Sequence, residues 1–238
     1  MAHTDKIPPS IPALLRAPMT SSATNAAKAL PYSESTDTYV QDTVRWLERA
    51  VIGLNLCPFA KSVHVKGQIH HVATLAATAE DVLAVLREEL QALANIPAEV
   101  RDTTLVVVPH CLQDFLDFND FLGDVEDVVH DMGLEGTLQV ASFHPQFQFA
   151  GTDADDVTNC TNRAPYPTLH LLREASIDRA VSVFPDAEAI FERNMEVLEE
   201  MGMAGWLALD VGPHGNGGKS IVATLATDDI SPTRGPGV

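Results

Sequence analysis

The segment Thr103–Val108, TTLVVV, limits the possible folds more than any other part of this chain. It is apolar or β-branched at every position, the pattern of a strand buried on both faces. Such a strand needs packed layers above and below it. Gln68 to Leu75 reads as a further strand, as does Thr137 to Phe143. Between the first two lies Ala79 to Asn95, an amphipathic helix with Glu80 and Asp81 in its first turn. From Asp37 to Leu56, residues Val40, Val44, Leu47, Val51 and Leu54 recur at helical spacing. Phe115, Phe118, Leu122, Val125 and Val129 form another helical stripe, opposed by Asp117, Asp120, Asp124, Asp127 and Asp131. Tyr166 to Val183 and Asp186 to Met203 read as two more helices. This alternation predicts an α/β fold: one domain with a small mixed or parallel sheet flanked by helices. Crossovers between parallel strands are expected to be right-handed.

The predicted domain spans residues 35–210, preceded by a flexible leader over 1–34 and followed by a Gly- and Pro-rich tail over 211–238. A formal net charge of −18 excludes nucleic acid and anionic membrane as main partners. The acidity peaks between Asp114 and Glu135, which holds eight acids and no Lys or Arg. A solvated helix face accounts for that run. No apolar run approaches the roughly 20 residues that cross a bilayer. Cys57, Cys111 and Cys160 show no paired spacing, which argues for a reducing compartment over a disulfide scaffold. The expected location is therefore cytoplasmic. The leader lacks a secretory apolar core, and its Lys6, Arg16 and Lys28 leave organelle targeting as the alternative. Without a secretory signal, the glycosylation sequon at Asn159–Thr161 is expected to be idle.

The stretch His144–Glu174 is far longer than an ordinary connection and carries most of the candidate chemistry. His110 and His144 both lie just past predicted strand ends, where open α/β sheets bind ligands. With Tyr166 to Val183 read as a helix, His170, Arg173 and Glu174 share one face. Arg163 and Arg173, with free amides at that helix start, suit a carboxylate or phosphate. Cys57 precedes Pro58, a favoured first helical residue, which places its thiol at a helix N-cap facing the positive dipole end. Lys61 lies one turn on. The bland reading of Cys57 is a buried thiol beside Leu56 and Phe59. His144, His170 and one of Asp153, Asp155 or Asp156 also make a two-histidine, one-carboxylate set of the non-haem iron type.

Three lookalikes are set aside. GPHGNGGKS has Pro213 where a phosphate loop begins with Gly. DFNDFLGD places Phe121 at a calcium loop's third ligand position. His70 and His71 on one strand point to opposite faces.

The blocks WLERAVIGLNLCPFAK, VVVPHCLQDFLDFNDFL, LQVASFHPQFQFAG and TNRAPYPTLHLLREASIDRAV resemble the domain-of-unknown-function family numbered 1415. The resemblance covers about Thr38 to Leu207. Matching positions include Cys57, Pro58, Phe59, His144, Pro145, Asn162, Arg163, Pro165, Tyr166, Pro167, His170 and Arg173. It implies a shared domain, with leader and tail as additions, and supplies no mechanism.

The residues favour an enzyme acting on a small anionic metabolite. Arg163 and Arg173 would bind the anion, and Asn162 and Tyr166 would orient it. His144 or His170 would act as acid or base, with Cys57 as nucleophile or redox thiol. No cofactor is required in that reading. The alternatives are a mononuclear iron oxidoreductase using His144, His170 and Asp155, and a non-catalytic protein presenting the Asp117–Asp131 face to a basic partner.

Overall fold

A computed structural model describes residues 36–183 and 187–214 of the chain. The leader, the tail from 215 onward and the phosphate-loop lookalike's GNGGKS portion lie outside the described residues. The chain runs α1 (Asp37–Trp46), a π-helical turn (Leu47–Ile52), α2 (Ala60–Val65) and β1 (Ile69–Ala73). Next come α3 (Ala79–Asn95), β2 (Thr103–Val107), α4 (Phe115–Asp131) and β3 (Leu138–Phe143). A 3₁₀ turn (Val157–Asn162) leads to β4 (Thr168–Arg173), α5 (Glu174–Val183) and α6 (Ala187–Ala208). The fold is thus mixed α/β. No helix among the described residues is long and apolar enough to cross a membrane.

The four strands form one sheet in the order β1-β2-β4-β3. Strands β1 and β2 are parallel, while β4 runs antiparallel to both its neighbours. The sheet is therefore mixed, and the late strand β4 sits inside it. Every residue of β2 is buried, as its apolar run requires.

Helices α3 and α4 cover one face. On α3, Val82, Leu86, Leu90 and Leu93 recur on one stripe and are fully buried. They meet Val106, Leu138, Leu169 and Leu171 of the sheet, and Phe118, Phe121, Val125 and Val128 of α4. Burying each such side chain is worth about 1.5–3 kcal/mol. Thr78 and Asp114 cap these two helices by accepting the amides of Asp81, and of Leu116 and Asp117, respectively. The aspartates opposite the buried stripe of α4 are all exposed.

The other face carries α1, the π-turn and a second cluster that includes Trp46, Leu47, Ala50, Leu105, Leu198 and Trp206. Val211 joins that cluster and the His214 amide donates to Asp42, so packing continues past residue 210. Helix α6 kinks at Gly202, whose φ of 67° leaves the helical region.

The largest difference from the sequence expectation follows the long loop. Tyr166 to Val183 is not one helix, because Thr168–Arg173 is the strand β4 and only Glu174–Val183 is helical. Leu169 and Leu171 face α3 and α4, whereas His170 and Leu172 face the other layer. The segment is buried from both sides, so its apolar residues show no period that would separate strand from helix.

Candidate functional site

A cavity of about 360 Å³ lies between the sheet and the layer formed by α1, the π-turn and α2. Trp46, Leu47 and Val51 line it from the end of α1 and the π-turn. Phe59, Ala60 and Val63 contribute from α2, and Ile177 and Ala180 from α5. The sheet supplies Ile69, Leu105, Phe143, Leu172 and His170, and Cys57 completes the wall. Three of the residues singled out from sequence, Cys57, His170 and Arg173, therefore line one concave site.

The π-turn shapes this wall. It shifts the helix register after Trp46, and such insertions are frequent at functional sites. Gly53 closes it, and a Cβ there would collide with the Arg49 carbonyl oxygen. The next residues form a turn in which Asn55 takes a positive φ of 56°. That turn delivers the half-buried Cys57 to the cavity. Cys57 is not the N-cap its sequence suggests. Helix α2 begins at Ala60 with Phe59 at its cap and runs only six residues, too few for a substantial dipole.

His170 is flanked by Leu105 and Ala141 on the neighbouring strands. Its ring lies 6.0 Å from that of Phe143, which in turn lies 5.1 Å from Trp46. The ring is half-buried, and the cavity it lines accounts for its remaining exposure. Burial pushes its pKa down to about 4, with a small addition from His71, so the imidazole is neutral near pH 7. No hydrogen bond engages its ring nitrogens among the described residues. His71 shares this face of the sheet, and its Nε2 is buried without a hydrogen-bond partner. Burial holds the His71 pKa at about 4 as well. Buried nitrogens without partners are uncommon and call for a reason.

Of the other sequence candidates only Arg173 borders this cavity, and its guanidinium is engaged elsewhere. His144 is fully buried on the opposite face, its ring 5.1 Å from Phe118 and 5.4 Å from Phe115. Its Nε2–H donates to the Leu112 carbonyl, and its Nδ1 accepts the Gln146 amide. Both nitrogens are thus occupied by backbone, and burial lowers its pKa. Leu112 holds a positive φ of 57° to present that carbonyl. This geometry makes His144 a brace between two loops.

Arg163 donates from Nε to Phe147 O and from Nη2 to Ala154 O, which folds the long loop onto itself. Arg173 donates from Nε and Nη2 to the carbonyls of Leu93, Ile96 and Arg101, and so caps the end of α3. The alternation of β4 sends that guanidinium to the face opposite His170. The two arginines therefore do not converge on an anion, and His170, Arg173 and Glu174 share no helix face. Tyr166 Oη donates to the buried Asp42 at 2.7 Å. The Asn162 carbonyl accepts the His144 amide at 3.2 Å.

The iron-type set is also not assembled. His144 and His170 stand on opposite faces of the sheet, Asp155 is exposed, and among the described residues no three His, Cys, Asp or Glu side chains gather to hold a metal. His110 is exposed, with Nε2 3.2 Å from Tyr39 Oη, and lies apart from the cavity. Asn159, the sequon residue, is fully buried and bonded to Phe149, Thr152 and Asp153, which leaves no room for a glycan. Cys160 is buried, and desolvation pushes its thiol up to about 11.

The sequence reading missed Trp46, Phe59 and Phe143 as cavity walls. Each reads as an ordinary core aromatic, and no local pattern announces a π-turn. The long loop proved informative mainly through the strand that follows it.

A family described as a protein of unknown function (DUF1415) matches residues 38–208, and the chain belongs to that family. No curated protein and no solved structure matches the chain.

Proposed function

We propose that this member of the family is an enzyme acting on a small molecule held in the Cys57–His170 cavity. The observation that carries this reading is a thiol and a neutral imidazole without a hydrogen-bond partner that line one concave, largely apolar cavity. The volume lies in the range of small-molecule sites, roughly 300–1,000 Å³. Cys57 serves as the nucleophile, and His170, neutral near pH 7, accepts a hydrogen bond from the thiol or from the bound substrate. Arg163 and Arg173 keep architectural roles in this reading, unlike in the expected anion site.

Site-resolved alkylation by iodoacetamide tests the pairing. In the full chain, Cys57 should react faster than Cys160, and His170→Gln should slow Cys57 several-fold without changing Cys111. Equal Cys57 rates in wild type and His170→Gln would remove the support. Hydrolysis of p-nitrophenyl butyrate provides a turnover probe, with release expected to vanish in Cys57→Ser. The non-catalytic alternative rests on the exposed acidic face of α4, and it predicts release unaffected by Cys57→Ser.

A further inference from the structure

The geometry points to an uncharged ligand with a hydrocarbon or aromatic body and one hydrogen-bonding group that meets His170 beside Cys57. This inference rests on the proposal that the cavity is the functional site, and it names the class of molecule the site takes.

The polar groups of the wall supply the argument. Asp102 Oδ1 accepts from Ser176 Oγ at 2.6 Å. Thr103 Oγ1 donates to Leu171 O, also at 2.6 Å. Arg173 lines the cavity, but its guanidinium reaches the carbonyls that end α3. Gln139 is exposed and stands at the rim. What remains inside is the Cys57 thiol and the His170 imidazole, beside the half-buried Asp102 carboxylate, which itself disfavours an anion. Neither supplies a positive charge near pH 7, and burying a carboxylate or phosphate without a counter-charge is strongly unfavourable. The net charge of −18 further lowers the local concentration of anions.

The surrounding atoms favour the opposite chemistry. Trp46, Phe59 and Phe143 offer broad apolar surfaces, and Leu105, Val51 and Ile69 fill the gaps between them. A neutral imidazole offers one donor and one acceptor, which suit a hydroxyl or an uncharged carbonyl. The expected ligand is thus a neutral amphiphile, polar end toward His170 and body among the aromatics.

A matched pair of probes tests this. 2-Naphthol and 2-naphthoate share one ring system and differ in charge near pH 7. Calorimetric titration of the full chain should show 2-naphthol binding at least tenfold more tightly than 2-naphthoate. Ile177→Trp, which fills the cavity from α5, should weaken 2-naphthol at least tenfold while circular dichroism stays unchanged. His170→Leu should weaken 2-naphthol severalfold and leave naphthalene unchanged. Naphthoate binding as tightly as naphthol would overturn the inference, as would naphthol binding indifferent to Ile177→Trp or no naphthol binding at all. These readings need no turnover. Naphthol binding with an unreactive Cys57 would therefore sink the catalytic proposal and leave the ligand class standing.

Discussion

Three histidines show how position decides what an imidazole does. His144 has both nitrogens bonded to backbone inside an aromatic cage. His144→Ala should cost about 2–4 kcal/mol in urea denaturation, since it leaves a cavity and unpaired groups in the Leu112 and Gln146 backbone. Cys57 alkylation should change little at temperatures where that variant is folded. His71 and His170 instead have pKa values near 4 in the folded state, against 6.5 for an ordinary imidazole. Between those values the unfolded chain binds more protons, so their contribution to stability is full above about pH 6.5 and is lost as pH falls toward 4. Each depression of this size corresponds to roughly 3 kcal/mol. Urea midpoints should therefore drop steeply between pH 6.5 and 4, and His71→Leu should flatten that slope. An unchanged slope in His71→Leu would refute the assignment. His71→Leu also removes a buried nitrogen without a partner, so stability near pH 7 should hold or rise.

At the scale of elements, the π-turn after α1 controls the shape of the cavity. Gly53→Ala drives a methyl group into the Arg49 carbonyl and should cost about 1–3 kcal/mol. The same change should alter the Cys57 alkylation rate, because the turn that carries Cys57 follows directly. A variant that loses stability with unchanged Cys57 reactivity would separate the π-turn from the site. Several elements were readable from sequence alone. Helix α3 has a clean stripe and an N-cap, and β2 an uninterrupted apolar run, so both ranges agree with expectation to within a residue. Helix α4 was legible because its five aspartates all face solvent opposite the packed stripe. The segment TLHLLR was not legible. As a strand covered on both faces it has no alternation, and Pro167 imitates a helix start. That one misreading moved Arg173 and Glu174 onto the same face as His170. Cys57 and His170 stand out in the sequence because thiols and imidazoles carry chemistry wherever they occur. That both line one cavity depends on packing between segments more than a hundred positions apart, which local patterns do not encode.

Across the molecule, Asp42 joins distant parts of the chain. Burial pushes its carboxyl up, but Tyr166 Oη, the His214 amide and the Arg45 guanidinium together outweigh this and hold its pKa below the ordinary value. Tyr166→Phe removes one of these donors and should cost about 1.5–3 kcal/mol near pH 7. Asp42 contributes stability above the ordinary carboxylate pKa, and that contribution disappears as pH falls through its folded value. The Tyr166→Phe deficit should therefore shrink below about pH 4, and a deficit constant with pH would refute the account. The strand order β1-β2-β4-β3 has a further consequence, for synthesis. β2 and β3 emerge from the ribosome well before β4, the neighbour between them. Until Arg173 has cleared the exit tunnel, each presents a bare hydrogen-bonding edge beside exposed leucines and valines. The sheet closes only once β4 has emerged, so chains stalled before that point resemble aggregation templates, and the nascent protein should rely on chaperones until Arg173 is out.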